Sequence, residues 1–202
     1  MIRAAALLLV LCAACGRAAP AEGPAAPIPD VVLVDDFDDG LPPNRLGGTY
    51  GPFIPNLEDR TMYCRVVPTA EERIGGEGFG MRVEYDVDSP RPAFGGFWMK
   101  VQNFDARPFL ALRFHARGDP KGYPAQIGVE IKNAREGDNV TIDLAPEWRS
   151  YDIPLSQFDN VTDTSMLTEI VFVVSDRLAK KKVGAFYIDH VRFARPSADK
   201  YE

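Results

Sequence analysis

Bulky apolar residues alternate with polar ones along most of this chain, the period-two signature of strands that bury one face. Met81, Val83, Tyr85 and Val87 alternate with Arg82, Glu84 and Asp86. Phe97, Met99 and Val101 alternate with Trp98, Lys100 and Gln102, and Leu110, Leu112 and Phe114 with Ala111, Arg113 and His115. The same rhythm returns in Ile127–Ile131 and in Val140–Leu144. The run Ile170–Val174 is apolar throughout, as expected of a strand covered on both faces. Between these runs stand Gly75-Gly76, Pro90 and Pro92, Gly118-Asp119-Pro120, Gly137-Asp138, Pro146 and Gly184, each a turn signal.

No segment carries a long helical stripe. Pro154–Phe158 predicts one helical turn with proline at its first position, and Ser165–Thr168 another. About nine or ten short strands without βαβ alternation predict an all-β fold, an antiparallel β-sandwich or jelly roll. Two acidic strand-like segments bracket it, Val31–Gly40 and Phe186–Phe193. First and last strands often pair in a sandwich, which would bring their carboxylates together around one cation.

The ends of the chain add export and tethering. Arg3 followed by the apolar run Ala4–Leu11 reads as a signal segment too short to anchor in a bilayer. Leu11-Cys12-Ala13-Ala14-Cys15-Gly16 resembles a bacterial lipoprotein lipobox, which implies lipidation of Cys15 and, with glycine next, delivery to the outer membrane of a Gram-negative envelope. An ordinary secretory signal cut near Ala14 or Ala19 is the alternative. The organisation expected is a signal and lipobox over 1–15, an Ala/Pro-rich tether over 16–30, a sandwich over 31–195 and a polar tail over 196–202.

Charge and cysteine count narrow the function. A formal net charge of −6 gives no cationic surface for phosphate, which argues against nucleic acid as a partner. With Cys12 and Cys15 assigned to the signal and lipid, Cys64 is left as a single thiol, so no disulfide framework or cysteine zinc site follows. It reads as a structural residue of a strand. A nucleophile with its base is missing: no G-x-S-x-G, H-E-x-x-H or P-loop pattern occurs. His115 is a candidate base if its strand lies near Glu130, with a structural histidine as the plainer reading. Glu84 and Asp86, two apart on one face, read as a solvated surface.

The outward positions are richer. If four consecutive runs, the last bearing Asn139, Thr141 and Asp143, are neighbours, then Trp98 and Lys100, Arg113 and His115, Glu130 and Lys132 share one polar face with an aromatic in it. A solvated outer face is the plain interpretation. The mixture of an indole ring with Arg, Lys and Glu also suits a sugar, whose hydroxyls take directional hydrogen bonds and whose C–H faces lie on an aromatic ring. These six residues are the candidate ligand set. Trp148 is expected to pack at the core edge.

Leu33–Gly40, Trp148–Phe158 and Phe186–Phe193, in this order, resemble the galactose-binding-like β-sandwich superfamily, and more narrowly carbohydrate-binding modules of family 11. Phe94-Gly95-Gly96-Phe97-Trp98 is similar to the related intermediate-associated protein 30 domain. The resemblance spans nearly all of residues 31–195 and implies a structural calcium where first and last strands meet, with Asp38, Glu77 and Asp189 as ligands. The polar face departs from glucan-binding members in being rich in charge and poor in tyrosine. The function implied is a non-catalytic, lipid-anchored module of the cell envelope that binds a poly- or oligosaccharide. A structural or assembly lipoprotein whose polar face meets another envelope protein is the alternative, and a glycan-cleaving jelly roll a third.

Overall fold

The computed structural model describes residues 28–195. The lipobox with Cys15, most of the tether and the tail lie outside the described residues. Eleven strands form two antiparallel sheets: β1 (Val31–Asp35), β2 (Tyr50–Phe53), β3 (Tyr63–Thr69), β4 (Gly80–Asp86), β5 (Phe94–Phe104), β6 (Ala111–Gly118), β7 (Gln126–Lys132), β8 (Gly137–Asp143), β9 (Arg149–Pro154), β10 (Leu167–Ser175) and β11 (Val183–Ala194). One sheet runs β3-β4-β11-β6-β9 with β1 also on β11, and the other runs β2-β5-β10-β7-β8.

The core lies between the sheets, as the alternation requires. Met81, Val83, Tyr85, Leu112, Phe114, Phe186 and Ile188 of the six-stranded sheet meet Phe97, Met99, Ile127, Val129, Ile170 and Phe172 of the other, all essentially excluded from solvent. Phe97 stacks on Phe172 at 6.1 Å, and Phe114 meets Phe172 edge-on at 5.1 Å. The polar partners in each alternation point outward, giving the sandwich two outer faces.

The terminal strands pair as expected, with Val31 opposite Ala194 and Val32 opposite Phe193. The strands beyond the expected nine or ten include β2, which holds Gly51-Pro52 at a sheet edge where a missing N–H is tolerated. Leu155–Gln157 forms the expected helical turn, a 3-10 turn entered from Pro154. Ser165–Thr168 instead makes a tight turn and then enters β10 at Leu167, because Leu167 and Ile170 are drawn into the core. Leu110, read as a core position, precedes β6 and is exposed.

Candidate functional site

Sheet order, rather than sequence order, decides which outward residues meet. Trp98 and Lys100 lie on β5, Glu130 and Lys132 on β7, and β10 separates the two. Across the five-stranded face Trp98 lies level with Val171 and Glu130, and Lys100 level with Glu169 and Lys132. Arg113 and His115 are not there. β6 pairs with β11 and β9 in the other sheet, so both side chains face out on the opposite side of the sandwich. The expected face of four consecutive strands therefore splits. His115 sits level with Asp189 and Ser150, far from the β7 position of Glu130 that a base role assumed.

On the five-stranded face the charges cluster, with Lys100, Glu169 and Lys132 in one row and Glu130 in the next. Lys100 Nζ binds Glu169 Oε2 at 2.9 Å, and Lys132 Nζ lies 3.1 Å from Glu130 Oε2. The half-buried indole of Trp98 lies over Gly51, donates from Nε1 to the Pro52 carbonyl at 3.2 Å and has the Lys100 ammonium 5.5 Å from its ring. The next row holds almost no side-chain bulk: Phe53, Gly96, Val173, Gly128 and Thr141 stand level across all five strands. Phe53 leans over Gly96 and Asn139 closes on Gly128; a Cβ at Gly96 would collide with the Phe172 carbonyl, and one at Gly128 with the Asn139 carboxamide. Val173 is half-exposed between. Phe94, 42 % exposed, meets Phe53 edge-on at 6.4 Å. The result is a shallow trough over Val173, narrowed by Phe53 on the β2–β5 side and by Asn139 on the β7–β8 side. It is walled by Trp98 and Glu130 on one side and by Phe94, Ser175 and Gln126 on the other.

Sequence reasoning missed Phe53, Phe94 and the whole contribution of β10. The Phe94-Gly95-Gly96-Phe97-Trp98 run held the signal, since glycine inside a strand marks close approach of a neighbour. Ile170–Val174 looked covered on both faces. Its outward residues differ: Val171 is buried beneath the charged row, whereas Val173 forms the trough floor.

The opposite face is interlocked. Tyr187, 3 % exposed, lies beneath the guanidinium groups of Arg82 and Arg117, 5.5 and 5.7 Å from its ring. Its hydroxyl donates to Asp119 Oδ2 at 3.2 Å and accepts from Arg82 at 2.8 Å. Arg82 also pairs with Asp119, Arg117 with Glu72, Arg65 with Glu84, and Arg113 with Asp152. Trp148 packs, as expected, although against Tyr187 on this outer face at 6.3 Å rather than over the core. Arg113 borders a groove of about 320 Å³ with Phe109, Leu110, Pro154 and Leu155, which is largely apolar. Cys64 donates to the Gly96 carbonyl at 3.2 Å, and burial pushes its thiol up to about 12, the state of an inert structural cysteine.

At the seam of first and last strands, Asp189 is fully buried. Its Oδ2 accepts the Ile74 N–H at 2.7 Å, and Oδ1 accepts the His190 N–H at 2.7 Å with His190 Nδ1 at 3.0 Å. That hydrogen bond to Asp189 raises the imidazole pKa. The Asp38 carboxyl is raised too, by desolvation and then by the charges of Asp36 and Asp189. Gly78, with φ of +79°, lets its loop lie directly against Asp38, where a Cβ would collide with the carboxylate. Glu77 points into solvent beside it. Among the described residues no three His, Cys, Asp or Glu side chains gather to hold a metal, so the expected three-carboxylate set does not assemble. Asp38 and Asp189 remain a like-charged pair that suits a hard cation only if backbone oxygens supply most of the shell.

Comparison with known proteins agrees on the fold. No family model and no curated protein matches the chain. Among solved structures it is similar to the family 11 carbohydrate-binding module of a cellulosomal cellulase of Clostridium thermocellum, at 17 % identity and TM-score 0.60 over 82 % of this chain and 94 % of that one. The Clostridium thermocellum module in complex with a β-1,3-1,4-mixed-linked tetrasaccharide aligns at 16 % identity and TM-score 0.61, over 82 % and 95 %. An exo-β-agarase aligns at 13 % identity and TM-score 0.57, over 83 % of this chain and 26 % of that one. The β-sandwich of the carbohydrate-binding-module type is thus the fold of this chain.

Proposed function

We propose that the chain is a non-catalytic carbohydrate-binding module of a bacterial cell envelope, tethered through a lipid on Cys15 and binding a poly- or oligosaccharide on the five-stranded face. One observation carries the reading: the cross-strand trough puts Trp98, Phe53 and Phe94 beside a row of paired Lys and Glu groups. Aromatic rims take the C–H faces of sugar rings, and the pre-paired charges offer fixed donors and acceptors to hydroxyls. Because positive and negative groups are matched along the row, a neutral glycan fits better than a polyanion. Trp98, Lys100, Glu130 and Lys132 stay in the contact set. Arg113 and His115 leave it. The aromatic rim and the pre-paired Lys and Glu groups are what a binding face supplies, so the face is read as a binder.

The test is calorimetric titration with a series of soluble polysaccharides, mixed-linked β-glucan among them. Trp98→Ala is expected to lower affinity by about 1–3 kcal/mol, tenfold or more, with folding stability nearly unchanged. Equal affinity of wild type and Trp98→Ala would sink the assignment of the face. The anchor has a separate readout: Cys15→Ser should abolish metabolic labelling with palmitate and release the protein from the outer-membrane fraction.

The apolar groove beside Leu110 supports a second reading, an assembly lipoprotein that docks another envelope protein, on the six-stranded side rather than on the polar face first considered. It gains if no glycan binds and in-cell crosslinking from Leu110 captures one defined partner.

A calcium ion at the seam belongs to the same proposal. Asp38 and Asp189 would hold it with backbone carbonyls, and it would tie β1 to β11 as a fold staple. A fold-only ion at a hundredfold over its Kd stabilises by about 2.7 kcal/mol, so chelator should lower Tm by several degrees. An unchanged Tm removes the ion from the model of the seam.

A further inference from the structure

We infer that a cavity at the β7–β8 end of the five-stranded sheet is a second sugar subsite, holding a single terminal or branch unit of the glycan carried on the trough. It rests on the glycan reading of that face and extends it beyond the strands.

The cavity, about 400 Å³, lies between three segments: the end of β5, the β7–β8 turn, and the loop that leads into β10. Just before its last residue, Phe104, β5 holds two consecutive left-handed residues, Gln102 at φ 55° and Asn103 at φ 58°. Such backbone is costly for non-glycine residues and is kept where surrounding contacts enforce it. Gln102 Nε2 donates to the Gly47 carbonyl at 3.0 Å and pins the bend, after which Asn103 lines the cavity. Opposite, Glu136 braces the walls together. Its carboxylate accepts from Thr162 N, Thr162 Oγ1 and Asn133 Nδ2 at 2.8–3.1 Å, and these bonds hold its pKa below the usual range. The brace ties the loop to the turn through the protein's own groups, as a pre-organised site requires.

Inside this frame the unspent groups are matched to a sugar. Among the described residues, the carboxamide of Asn103 and the guanidinium of Arg135 have no hydrogen-bond or ion-pair partner. Asp163, whose carboxylate accepts the Ser165 N–H on Oδ1 at 2.9 Å and also meets the Ser165 side chain, lines the cavity beside them. A guanidinium, a carboxamide and a carboxylate oxygen together satisfy a vicinal diol, one hydroxyl accepting and its neighbour donating. Met166, 55 % exposed, supplies a polarizable surface for the C–H side of the ring. One cation, Arg135, and two carboxylates, Glu136 and Asp163, line the cavity, a net charge of −1 that disfavours an anionic sugar.

The cavity continues the trough face. Arg135 and Glu136 sit in the turn joining β7, with Lys132, to β8, and Asn103 follows Lys100 along β5. Lys100 and Lys132 stand level with each other across Glu169, one row short of the cavity. The trough is open at its side and passes interior units, whereas three walls around the cavity admit an end or a branch.

The experiment is methyl NMR of the full domain with labelled methionines, alongside the indole N–H signals of Trp98 and Trp148. The probes are glucose, galactose, mannose, xylose and arabinose as monosaccharides, and the mixed-linked tetrasaccharide. At least one monosaccharide is expected to move the Met166 methyl and leave Trp98 still. An Asn103→Ala/Arg135→Ala double variant should weaken that response about tenfold or more. If none of the monosaccharides moves Met166, or if the double variant responds like wild type, the inference is overturned. A response at Trp98 with silence at Met166 overturns the subsite alone and keeps the trough. A response at Met166 whose glycan affinity is indifferent to Trp98→Ala keeps the subsite and removes the trough.

Discussion

The two outer faces of this sandwich carry similar residue types and differ in how they are spent. On the six-stranded face the charges close over the aromatic: Arg82 and Arg117 cover Tyr187, and Asp119 and Glu72 hold the two arginines in place. On the five-stranded face the ion pairs stand beside Trp98 and leave Val173 partly exposed between Phe53, which lies over Gly96, and Asn139, which lies over Gly128. Charge and aromatic content by themselves therefore say little about where a ligand goes. Relief does, because a ligand needs both an apolar surface that no protein group already covers and polar groups fixed at its edge.

The comparison breaks most sharply at the seam. Asp189→Ala on the six-stranded side strands two backbone N–H groups and removes the partner of His190. Loss of a buried, fully bonded carboxylate costs about 3–5 kcal/mol, which denaturant melts will show as a lower midpoint at unchanged slope. Any glycan affinity left in the folded fraction should be that of wild type. A variant that keeps its stability and loses binding would mean the six-stranded side takes part in recognition.

A smaller effect separates the seam from the trough by pH. Asp35 is buried, with one oxygen accepting the Phe37 N–H at 2.9 Å and the other unpartnered. Desolvation raises its pKa from 3.8 to about 7. The folded state thus holds a proton that the unfolded chain releases between those two values. Stability from this group is complete below the lower value and is lost as pH rises through about 7. The slope is at most about 1.4 kcal/mol per pH unit. Asp35→Asn keeps the acceptor to Phe37 and should flatten the profile between pH 4 and 7, read from Tm against pH. An equally steep profile in the variant would place the titrating group elsewhere.

How legible this was depends on the kind of contact. Period-two alternation revealed the inward and outward parity of Trp98, Lys100, Arg113, His115, Glu130 and Lys132, because pleating obliges it. Sheet membership was hidden, because a sandwich sends successive strands to different sheets: β6 goes to β11 while β5 and β7 flank β10. The pairing of β1 with β11 followed from the acidic first and last segments. Glu77 is exposed in the turn that brings Gly78 against Asp38, a placement that depends on the Gly78 contact and leaves no periodic signal. The Asn103–Arg135 cavity left no periodic trace, being built from a strand end and two loops whose meeting is a tertiary event.

The smallest predicted effect is the one that tests sheet order itself. His115 has the right parity and chemistry for the trough and differs from the contact residues only in lying on β6, behind the core. Its ring meets His190 edge-on at 5.9 Å on the six-stranded side. His115→Gln should therefore leave glycan affinity within about twofold of wild type, under 0.5 kcal/mol, as expected of a site with no shared partners. Calorimetric titration beside Trp98→Ala makes the contrast in one experiment. A His115→Gln affinity as poor as that of Trp98→Ala would put the ligand on the six-stranded face, against the open relief of the five-stranded one.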